Sequence, residues 1–278
     1  MKRRSRRGSL TIVGLGIEAI THVTLQARGC IEQADKVLYY VADPVSAQWI
    51  RSVNPKAESL TRFYSTKKRR RVTYSQAVDE IFGFLRKGFA VCAAFYGHPG
   101  VFCSPGHAAM RRARREGVPA RMLPAISSLD CLFADLGVDP GAEGCQSFDA
   151  TDFLLHDRRF DPKSPLILLQ PALIGERTLP LEPCNREGLK ILTKALRRHY
   201  PGSHKVVVYE AAQFVVGKPG ILKVRLEALP RARVTPVSML YVPPKARPTA
   251  NRGMLKRLIR LSAGSGVQGK RKAGPSSR

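Results

Sequence analysis

A loop rich in glycine and aromatic residues follows an apolar run in the first half of the chain. The run covers residues 89–95, and the loop Tyr96-Gly97-His98-Pro99-Gly100-Val101-Phe102 comes directly after it. Glycine lets a backbone approach a bound molecule closely, and open α/β sheets bind ligands in loops at the carboxyl ends of their strands. The sequence therefore predicts a ligand-binding turn here.

A second cluster, Val13-Gly14-Leu15-Gly16-Ile17, also follows an apolar run. Position 19 is alanine, so the third glycine of a dinucleotide-binding fingerprint is missing.

One arginine is flanked by two tyrosines at fixed spacing. Arg70 lies six residues after Tyr64 and four before Tyr74. Taken alone, the basic stretch 67–71 is typical of a solvated loop or a phosphate-binding patch. A tyrosine can also accept a proton if a cationic neighbour lowers its pKa from about 10, and an arginine can hold a developing oxyanion. On the residues alone the solvated loop is the favoured reading, and proton-transfer chemistry is the alternative.

Strand and helix patterns alternate along the chain that carries these residues. The predicted strands cover 10–14, 36–41, 89–95, 121–123, 165–170, 205–209, 222–226 and 237–242. The predicted helices cover 24–34, a segment opening at Asp43-Pro44, 75–86, 105–116, 127–136 and 186–198. This alternation predicts a mostly parallel α/β sheet with helices on both faces, followed by hairpins or a mixed sheet.

The domain boundaries follow from these elements and from the charge distribution. Lys and Arg total 47 against 21 acidic residues, a net charge of +26. Residues 1–7 and 245–278 hold 15 of these charges and no acid, so residues 8–244 hold the remaining +11. We predict basic, largely disordered tails over 1–7 and 245–278, with a short amphipathic helix at 254–261. The two α/β lobes are predicted over 8–125 and 126–244.

The cysteines and histidines predict neither disulfides nor a metal site. The six cysteines form no C-x-x-C pair, and several lie in apolar runs, as Cys92 does. This pattern is typical of free thiols in a reducing cytosol. The six histidines show no ligand spacing. No apolar stretch approaches the roughly 20 residues of a membrane helix, and no signal sequence follows the basic start. We therefore expect a cytoplasmic protein that does not enter a membrane.

Longer blocks of the chain resemble the tetrapyrrole-methylase superfamily. The likeness lies in GSLTIVGLG at 8–16 and FYGHPGVF at 95–102. Two further blocks resemble the borosin branch, which N-methylates peptide backbones: ARMLPAISSLDCLFADLG at 120–137 and GCQSFDATDFLLH at 144–156. The Tyr64–Arg70–Tyr74 spacing is also similar to that branch. The resemblance extends over about residues 8–244. It implies two α/β lobes with S-adenosylmethionine in the cleft between them, and S-adenosylhomocysteine as the product.

The resemblance also implies the site residues. Those expected to contact the cofactor are Tyr96, His98, Val101, Phe102, Ser127, Ser128, Gln170, Ala211, Ala212 and Ser238. Peptide nitrogens are poor nucleophiles, because the lone pair is delocalised into the carbonyl group. We expect Tyr74 or Tyr96 to remove the N–H proton, with its pKa lowered by Arg70. Arg70 would also stabilise the imidate oxygen, and Tyr64 would orient the substrate by a hydrogen bond.

The chain departs from the fused members of the borosin branch, which carry their own core peptide. Its last residues, 264–278, contain no apolar core peptide. The resemblance then implies the split arrangement, in which a homodimer methylates a separate ribosomally made precursor peptide. The charge of residues 8–244 favours a precursor with an acidic leader.

Two other activities within the superfamily stay open as alternatives. A methylase of a tetrapyrrole intermediate would match carboxylate-rich substrates to a basic cleft, and a ribosomal-RNA methyltransferase would match the basic tails. A basic scaffold that retains the fold without catalysis is a third reading. We favour the peptide branch because of the Tyr64–Arg70–Tyr74 spacing, and we do not expect a dedicated nucleic-acid partner.

Overall fold

Strands and helices alternate through the first 122 residues of the computed structural model, which describes residues 8–41, 43–65, 67–178, 184–246 and 249–264. The strands are β1 Ser9–Gly14, β2 Lys36–Tyr40, β3 Ala57–Ser59, β4 Ala90–Phe95 and β5 Ala120–Met122. The helices are α1 Leu25–Gln33, α2 Pro44–Val53, α3 Arg70–Arg86 and α4 Ser104–Glu116. The five strands are parallel and lie in the order β3-β2-β4-β1-β5.

Helices cover both faces of this first sheet because its strands are apolar on both sides. One face packs against α3 and α4 through residues such as Ile12, Ile81 and Phe82. The other packs against α1 and α2 through residues such as Ile31 and Ile50. Buried parallel strands of this kind carry near-continuous apolar runs. The carboxyl ends of all five strands therefore meet along one edge of the sheet, where β1, β2 and β4 deliver the candidate site residues.

A second sheet forms the other lobe. Its strands are β6 Gln146–Asp149, β7 Leu166–Leu169, β8 Lys205–Glu210, β9 Gly220–Arg225 and β10 Met239–Val242. They lie in the order β6-β7-β10-β8-β9; β6 and β7 are parallel, and the remaining pairs are antiparallel. The helices of this lobe are α5 Ser128–Leu136, α6 Pro140–Glu143, α7 Ala150–Leu155 and α8 Arg186–Leu196. Leu132 of α5 packs on one sheet face, and Leu189 and Leu192 of α8 pack on the other.

The predicted two-lobed α/β architecture with a mixed second sheet is confirmed, and each predicted strand overlaps an observed one. One predicted boundary is wrong in a way that affects the site. Helix α3 begins at Arg70 rather than at residue 75, so Arg70 and Tyr74 share a helix. Arg69, which precedes the helix, supplies no side-chain cap; instead, the Arg70 N–H donates to the carbonyl oxygen of Arg177 in the second lobe (2.8 Å). A long-range hydrogen bond thus satisfies a helix-end donor that capping patterns in the sequence do not account for.

Two groups of hydrogen bonds join the lobes across the cleft. The first is made by Arg70, whose guanidinium Nη2 donates to the carbonyl oxygen of Glu176 at 2.5 Å. The second joins the loop after β1 to the loop after β8, where the Ala19 N–H donates to the carbonyl oxygen of Gln213 at 2.9 Å. One hydrogen bond therefore joins the lobes at Arg70, near the predicted tyrosines, and the other joins them at the loop that follows Gly16.

The basic C-terminal region contains one helix, α9, over Arg252–Gly264, and this helix includes the predicted amphipathic stretch. The predicted tail 1–7 and the segment 265–278 lie outside the described residues. No helix within the described ranges has the length and apolar character needed to cross a membrane.

Candidate active site

Two glycine-bearing loops meet at the carboxyl edge of the first sheet. The Gly97 N–H donates to the Gly16 carbonyl oxygen at 2.9 Å, and both residues have left-handed backbones, with φ of +73° at Gly16 and +70° at Gly97. A Cβ on Gly14 would lie 2.2 Å from the Gly97 carbonyl oxygen, so no larger residue fits. Because both loops are held this closely, their backbones form a rigid floor at the end of β1 and β4.

The loop after β4 projects its side chains from this floor. The Tyr96 N–H donates to the carbonyl oxygen of Tyr40 (3.1 Å), which ties the loop to β2. The Gly100 N–H donates to His98 Nδ1 (2.9 Å), so the neutral imidazole of His98 carries its proton on Nε2. The Val101 N–H donates to the His98 carbonyl oxygen (3.1 Å). Phe102 has a φ of +52° and a 45% exposed ring, a strained backbone of the kind that clusters at functional sites.

Three tyrosines pack together beside this loop. The ring of Tyr64 stacks on that of Tyr40, with centroids 4.2 Å apart and an interplanar angle of 8°. The two hydroxyl groups lie close enough to influence each other's pKa. Tyr74 meets Tyr64 edge-on at 6.2 Å. The structure therefore brings together the two tyrosines predicted from the sequence and adds Tyr40, which the sequence did not indicate.

Arg70 connects the tyrosine cluster to the second lobe. Its guanidinium donates to the Glu176 carbonyl oxygen, and its charge lies close enough to the Tyr74 hydroxyl, one helical turn later, to favour the phenolate. Residues four apart lie on the same helix face, and this spacing lets the guanidinium reach the tyrosine. Arg70 thus places a permanent positive charge against one hydroxyl of the cluster.

Burial dominates the acid–base character of these tyrosines. It raises the pKa of Tyr74 above its ordinary value of 10.0, and Arg70 opposes that rise without reversing it. Burial likewise raises the pKa of Tyr64, reinforced by its tyrosine neighbours. It raises the pKa of Tyr96 to about 12, with smaller contributions from Cys131 and Asp43. The expectation of a lowered tyrosine pKa is therefore wrong, because desolvation of the phenolate outweighs the arginine charge.

Two predicted serines lie at the start of α5, and their hydroxyls already have partners. The Ser127 hydroxyl accepts the Asp130 N–H and donates to the Asp130 carboxylate (2.7 Å), while the carboxylate accepts the Ser127 N–H, forming a reciprocal cap. The Ser128 hydroxyl donates to the sulfur of Met239 at 3.4 Å. This cap fixes the turn at the end of β5, and contact with the cofactor remains a prediction for both residues.

The remaining predicted residues lie at the ends of second-lobe strands. Gln170 follows β7 with a left-handed backbone, φ +55°. Ala211 and Ala212 follow β8 and line a cavity of about 490 Å³. Ser238 precedes β10, and its buried hydroxyl donates to the carboxylate of Glu210 and accepts the Thr235 N–H (2.8 Å). The Ala19–Gln213 hydrogen bond places the loop after β8 beside the loop after β1, and contact with the cofactor remains a prediction for all four residues.

Two residues at the ends of strands, Tyr40 and Glu210, were missed from the sequence, and a third, Asp43, was singled out there only as a loose candidate for a ribose-reading acid. Tyr40 ends β2, Asp43 caps α2 by accepting the Ser46 N–H (2.6 Å), and Glu210 ends β8 and lines the cavity. All three lie at or just after the carboxyl end of a strand. That position, rather than the type of residue, was the signal that could have identified them.

The cleft fits the cofactor that the resemblance implies. S-adenosylmethionine combines a purine ring with a sulfonium cation. Tyr96 and Phe102 supply ring faces, and the Asp43 carboxylate is close enough to raise the pKa of Tyr96. Ring faces and carboxylates both stabilise cations. Within the described ranges, no group of three or more His, Cys, Asp or Glu residues could hold a metal ion.

Comparisons with known proteins agree with this architecture. The family model described as Tetrapyrrole (Corrin/Porphyrin) Methylases matches residues 9–218. A solved structure of uroporphyrin-III C-methyltransferase from Thermus thermophilus, complexed with S-adenosylhomocysteine, is similar with a TM-score of 0.58. The match covers 85% of this chain and 92% of that one at 19% identity, so the likeness concerns the fold.

Two fungal relatives share much more sequence. The methyltransferase/ribosomally synthesized cyclic peptide omphalotin A precursor of Omphalotus olearius is 40% identical over 266 residues. The match covers 94% of this chain and 64% of the relative. A methyltransferase/ribosomally synthesized type I borosin cyclic peptide precursor of Coprinopsis marcescibilis is 39% identical over 264 residues, covering 92% of this chain and 66% of the relative. This chain thus spans about two thirds of the length of each.

Proposed function

Because the chain belongs to the tetrapyrrole methylase family, we propose that it transfers methyl groups from S-adenosylmethionine to backbone amide nitrogens of a ribosomally made precursor peptide. The observation that carries this proposal is the half-buried Tyr64–Arg70–Tyr74 cluster beside the glycine floor. The sequence relatives add support, since their names combine a methyltransferase with a cyclic peptide precursor.

The chemistry at the peptide nitrogen needs a base and a stabiliser for the imidate oxygen. The cofactor, when bound, supplies a methyl group already activated on a sulfonium sulfur. The amide nitrogen becomes a nucleophile only when it loses its proton, because its lone pair is otherwise delocalised. The protein must therefore move one proton and hold one developing negative charge.

Tyr74 is the better candidate for the base. It lies beside Arg70, whose charge favours the phenolate, whereas Tyr96 has the carboxylate of Asp43 nearby, which opposes ionisation. The N–H proton passes to the Tyr74 oxygen and later leaves to solvent. Since the pKa of Tyr74 is raised, the phenolate is scarce near neutral pH, and the rate increases with pH.

Arg70 and Tyr64 position and stabilise the reacting amide. Arg70 has N–H groups beyond the one bonded to Glu176, and one of them can donate to the imidate oxygen. Tyr64 stays neutral because its pKa is raised, so its hydroxyl remains able to donate a hydrogen bond. Tyr40 fixes the Tyr64 ring by stacking and is a positioning residue.

The cofactor is held between the two lobes. Tyr96, His98, Val101 and Phe102 face it from the first lobe. From the second lobe it is faced by Ser127, Ser128, Gln170, Ala211, Ala212 and Ser238. The tether between Ala19 and Gln213 keeps the glycine floor against the second lobe. Holding donor and acceptor atoms in one geometry lowers the entropic part of the barrier.

In this proposal the peptide is a separate precursor, and the enzyme acts as a cytoplasmic homodimer. The resemblance to the peptide branch supports a peptide substrate and the homodimer, whereas the names of the relatives described above combine methyltransferase and precursor. Size-exclusion chromatography with light scattering measures the oligomeric state, and a mass of one chain would contradict the dimer.

Intact-mass spectrometry tests the function. The protein is co-expressed with small proteins encoded beside its gene, and each small protein is then weighed and fragmented. We expect mass gains in steps of one methyl group, located on backbone nitrogens. Methyl transfer to RNA or to a tetrapyrrole, with none to any peptide, would replace this function with one of the alternatives. A chain carrying Tyr74→Phe and Arg70→Gln together is the inactive control.

A further inference from the structure

A hollow lined mainly by cations lies on the outer surface of the second lobe, away from the residues of the candidate active site. Its volume is about 480 Å³. The residues that line it are Lys190, Thr193, Lys194, Arg197, Arg198 and Pro230. Four of these six carry a positive charge, so the hollow would bind an anion.

The hollow is built on fixed elements. Lys190, Thr193 and Lys194 lie on α8, and Arg197 follows its end, at the spacing that places residues on one helix face. The opposite wall is the segment around Pro230, which the Arg186 guanidinium holds through the carbonyl oxygens of Pro230 (3.0 Å) and Ala232 (2.6 Å). The positively charged side chains of the hollow (hereafter also the groove) are thus held by a helix and a fixed segment rather than by a mobile loop.

Little acid offsets these charges. Residues 184–246 hold twelve Lys and Arg against three acidic residues. Lys190 pairs with Glu187 at 2.7 Å, on a pair that is exposed at both ends. Among the residues that the structure describes, Lys194, Arg197 and Arg198 make no ion pair. Neighbouring like charges on a helix are mutually destabilising, so an anionic partner would relieve a repulsion that the free protein retains.

The lining favours a carboxylate-rich chain over a nucleic acid. Single-stranded nucleic acids are held by aromatic side chains on which bases stack, and no aromatic residue lines this hollow. We infer that the hollow docks an acidic segment of the precursor peptide, a binding site separate from the methyl-transfer site. This inference rests on the proposed peptide substrate.

The position of the groove relative to the cleft supports this role. At the N-terminal end of α8, the Asn185 side chain donates to the Ile174 carbonyl oxygen (2.9 Å) and the Glu176 carboxylate (3.1 Å). The backbone carbonyl oxygen of Glu176 in turn accepts the hydrogen bond from the Arg70 guanidinium. Lys194 lies about 13 Å along the helix from Asn185, a distance that roughly four extended residues span. The start of α8 is thus connected to the Arg70 side of the cleft, and the cations of the hollow lie further along the same helix.

A charge-reversal pair tests the inference by direct binding. One variant carries Lys194→Glu, Arg197→Glu and Arg198→Glu, and the matched control reverses the exposed Arg111, Arg114 and Arg115 of α4. The probe is a fluorescent oligoglutamate peptide, followed by anisotropy. We expect the α8 variant to bind at least about tenfold more weakly and the α4 variant to bind as the wild type does. Equal losses in both variants, or tighter binding of a single-stranded oligonucleotide of matched charge, would overturn the inference.

Kinetics separates the failure of this site from the failure of the function. With a precursor that contains its acidic segment, the α8 variant should show about a tenfold higher KM at unchanged kcat. With a truncated precursor lacking that segment, all three proteins should have the same KM. Equal KM values on the full precursor would refute the groove while leaving the function in place. If no peptide is methylated, the function fails, and the oligoglutamate titration still decides whether the groove binds acidic chains.

Discussion

Replacing Arg70 by Gln removes the positive charge beside Tyr74 and leaves the start of α3 in place. The backbone N–H of residue 70 still donates to Arg177, whereas the guanidinium bond to Glu176 and the charge beside Tyr74 are lost. The Arg70 charge lowers the pKa of Tyr74, so its removal should raise that pKa further. At a fixed pH below the pKa, the phenolate population and the rate should then fall by about tenfold for each unit by which the pKa rises.

The assay is a single-turnover measurement of methyl incorporation between pH 7 and 9.5, which isolates the chemical step from product release. The wild type should speed up by about tenfold per pH unit, because the pKa of Tyr74 lies above this window. Arg70→Gln should follow a parallel line displaced downwards. Arg70→Lys should lie between the two lines, and the exposed neighbour Arg71→Gln should match the wild type. A folded Arg70→Gln protein at the wild-type rate, or a flat wild-type profile, would refute the assignment of the base.

Three further perturbations test other parts of the account. Tyr40→Phe keeps the ring stack but loses the hydroxyl group, so kcat should fall by about two- to tenfold. The control Tyr39→Phe, on the opposite face of β2, should leave kcat unchanged. Equal effects of the two variants on kcat would contradict the positioning role of Tyr40. Gly14→Ala forces a Cβ against the Gly97 carbonyl oxygen. Calorimetry should therefore show loss of cofactor binding and a free energy of unfolding lower by about 1–3 kcal/mol. Unchanged cofactor binding would show that the glycine floor is not part of the site. Burial raises the pKa of Tyr96 to about 12 in the folded protein, against about 10 in the unfolded chain, so folding favours the neutral form. The free energy of unfolding should therefore stay constant below pH 10 and fall by about 2–3 kcal/mol towards pH 12. Tyr96→Phe should reduce this fall.

Much of the fold follows from local patterns in the sequence. Thr24 and Asp43 cap α1 and α2 as their positions predict, and the apolar runs of β1 and β4 become adjacent parallel strands. The short strands β3 and β6 and the short helices α6 and α7 were missed. Three- to six-residue elements carry too little periodicity to be recognised, and packing against their neighbours determines them.

The candidate site was only partly predictable, for the same reason. The spacing of Arg70 and Tyr74 was recognised, but their common helix depends on a hydrogen bond to Arg177, more than one hundred residues away. Tyr40 was not recognised because stacking on Tyr64 is a property of the assembled sheet edge. The raised tyrosine pKa values likewise depend on burial, and a linear sequence does not display burial. Identifying residue types was therefore easier than predicting their electrostatic state.

The measurement that tests the central claim most directly uses a methyl donor whose transferable methyl group is isotopically labelled. The purified protein is incubated with this donor and the precursor peptide, and tandem mass spectrometry locates the label. The account predicts label on backbone amide nitrogens of the peptide, and no label when Tyr74 is replaced by Phe. Label on side chains of the peptide, or on an added RNA or tetrapyrrole while the peptide stays unlabelled, would contradict it.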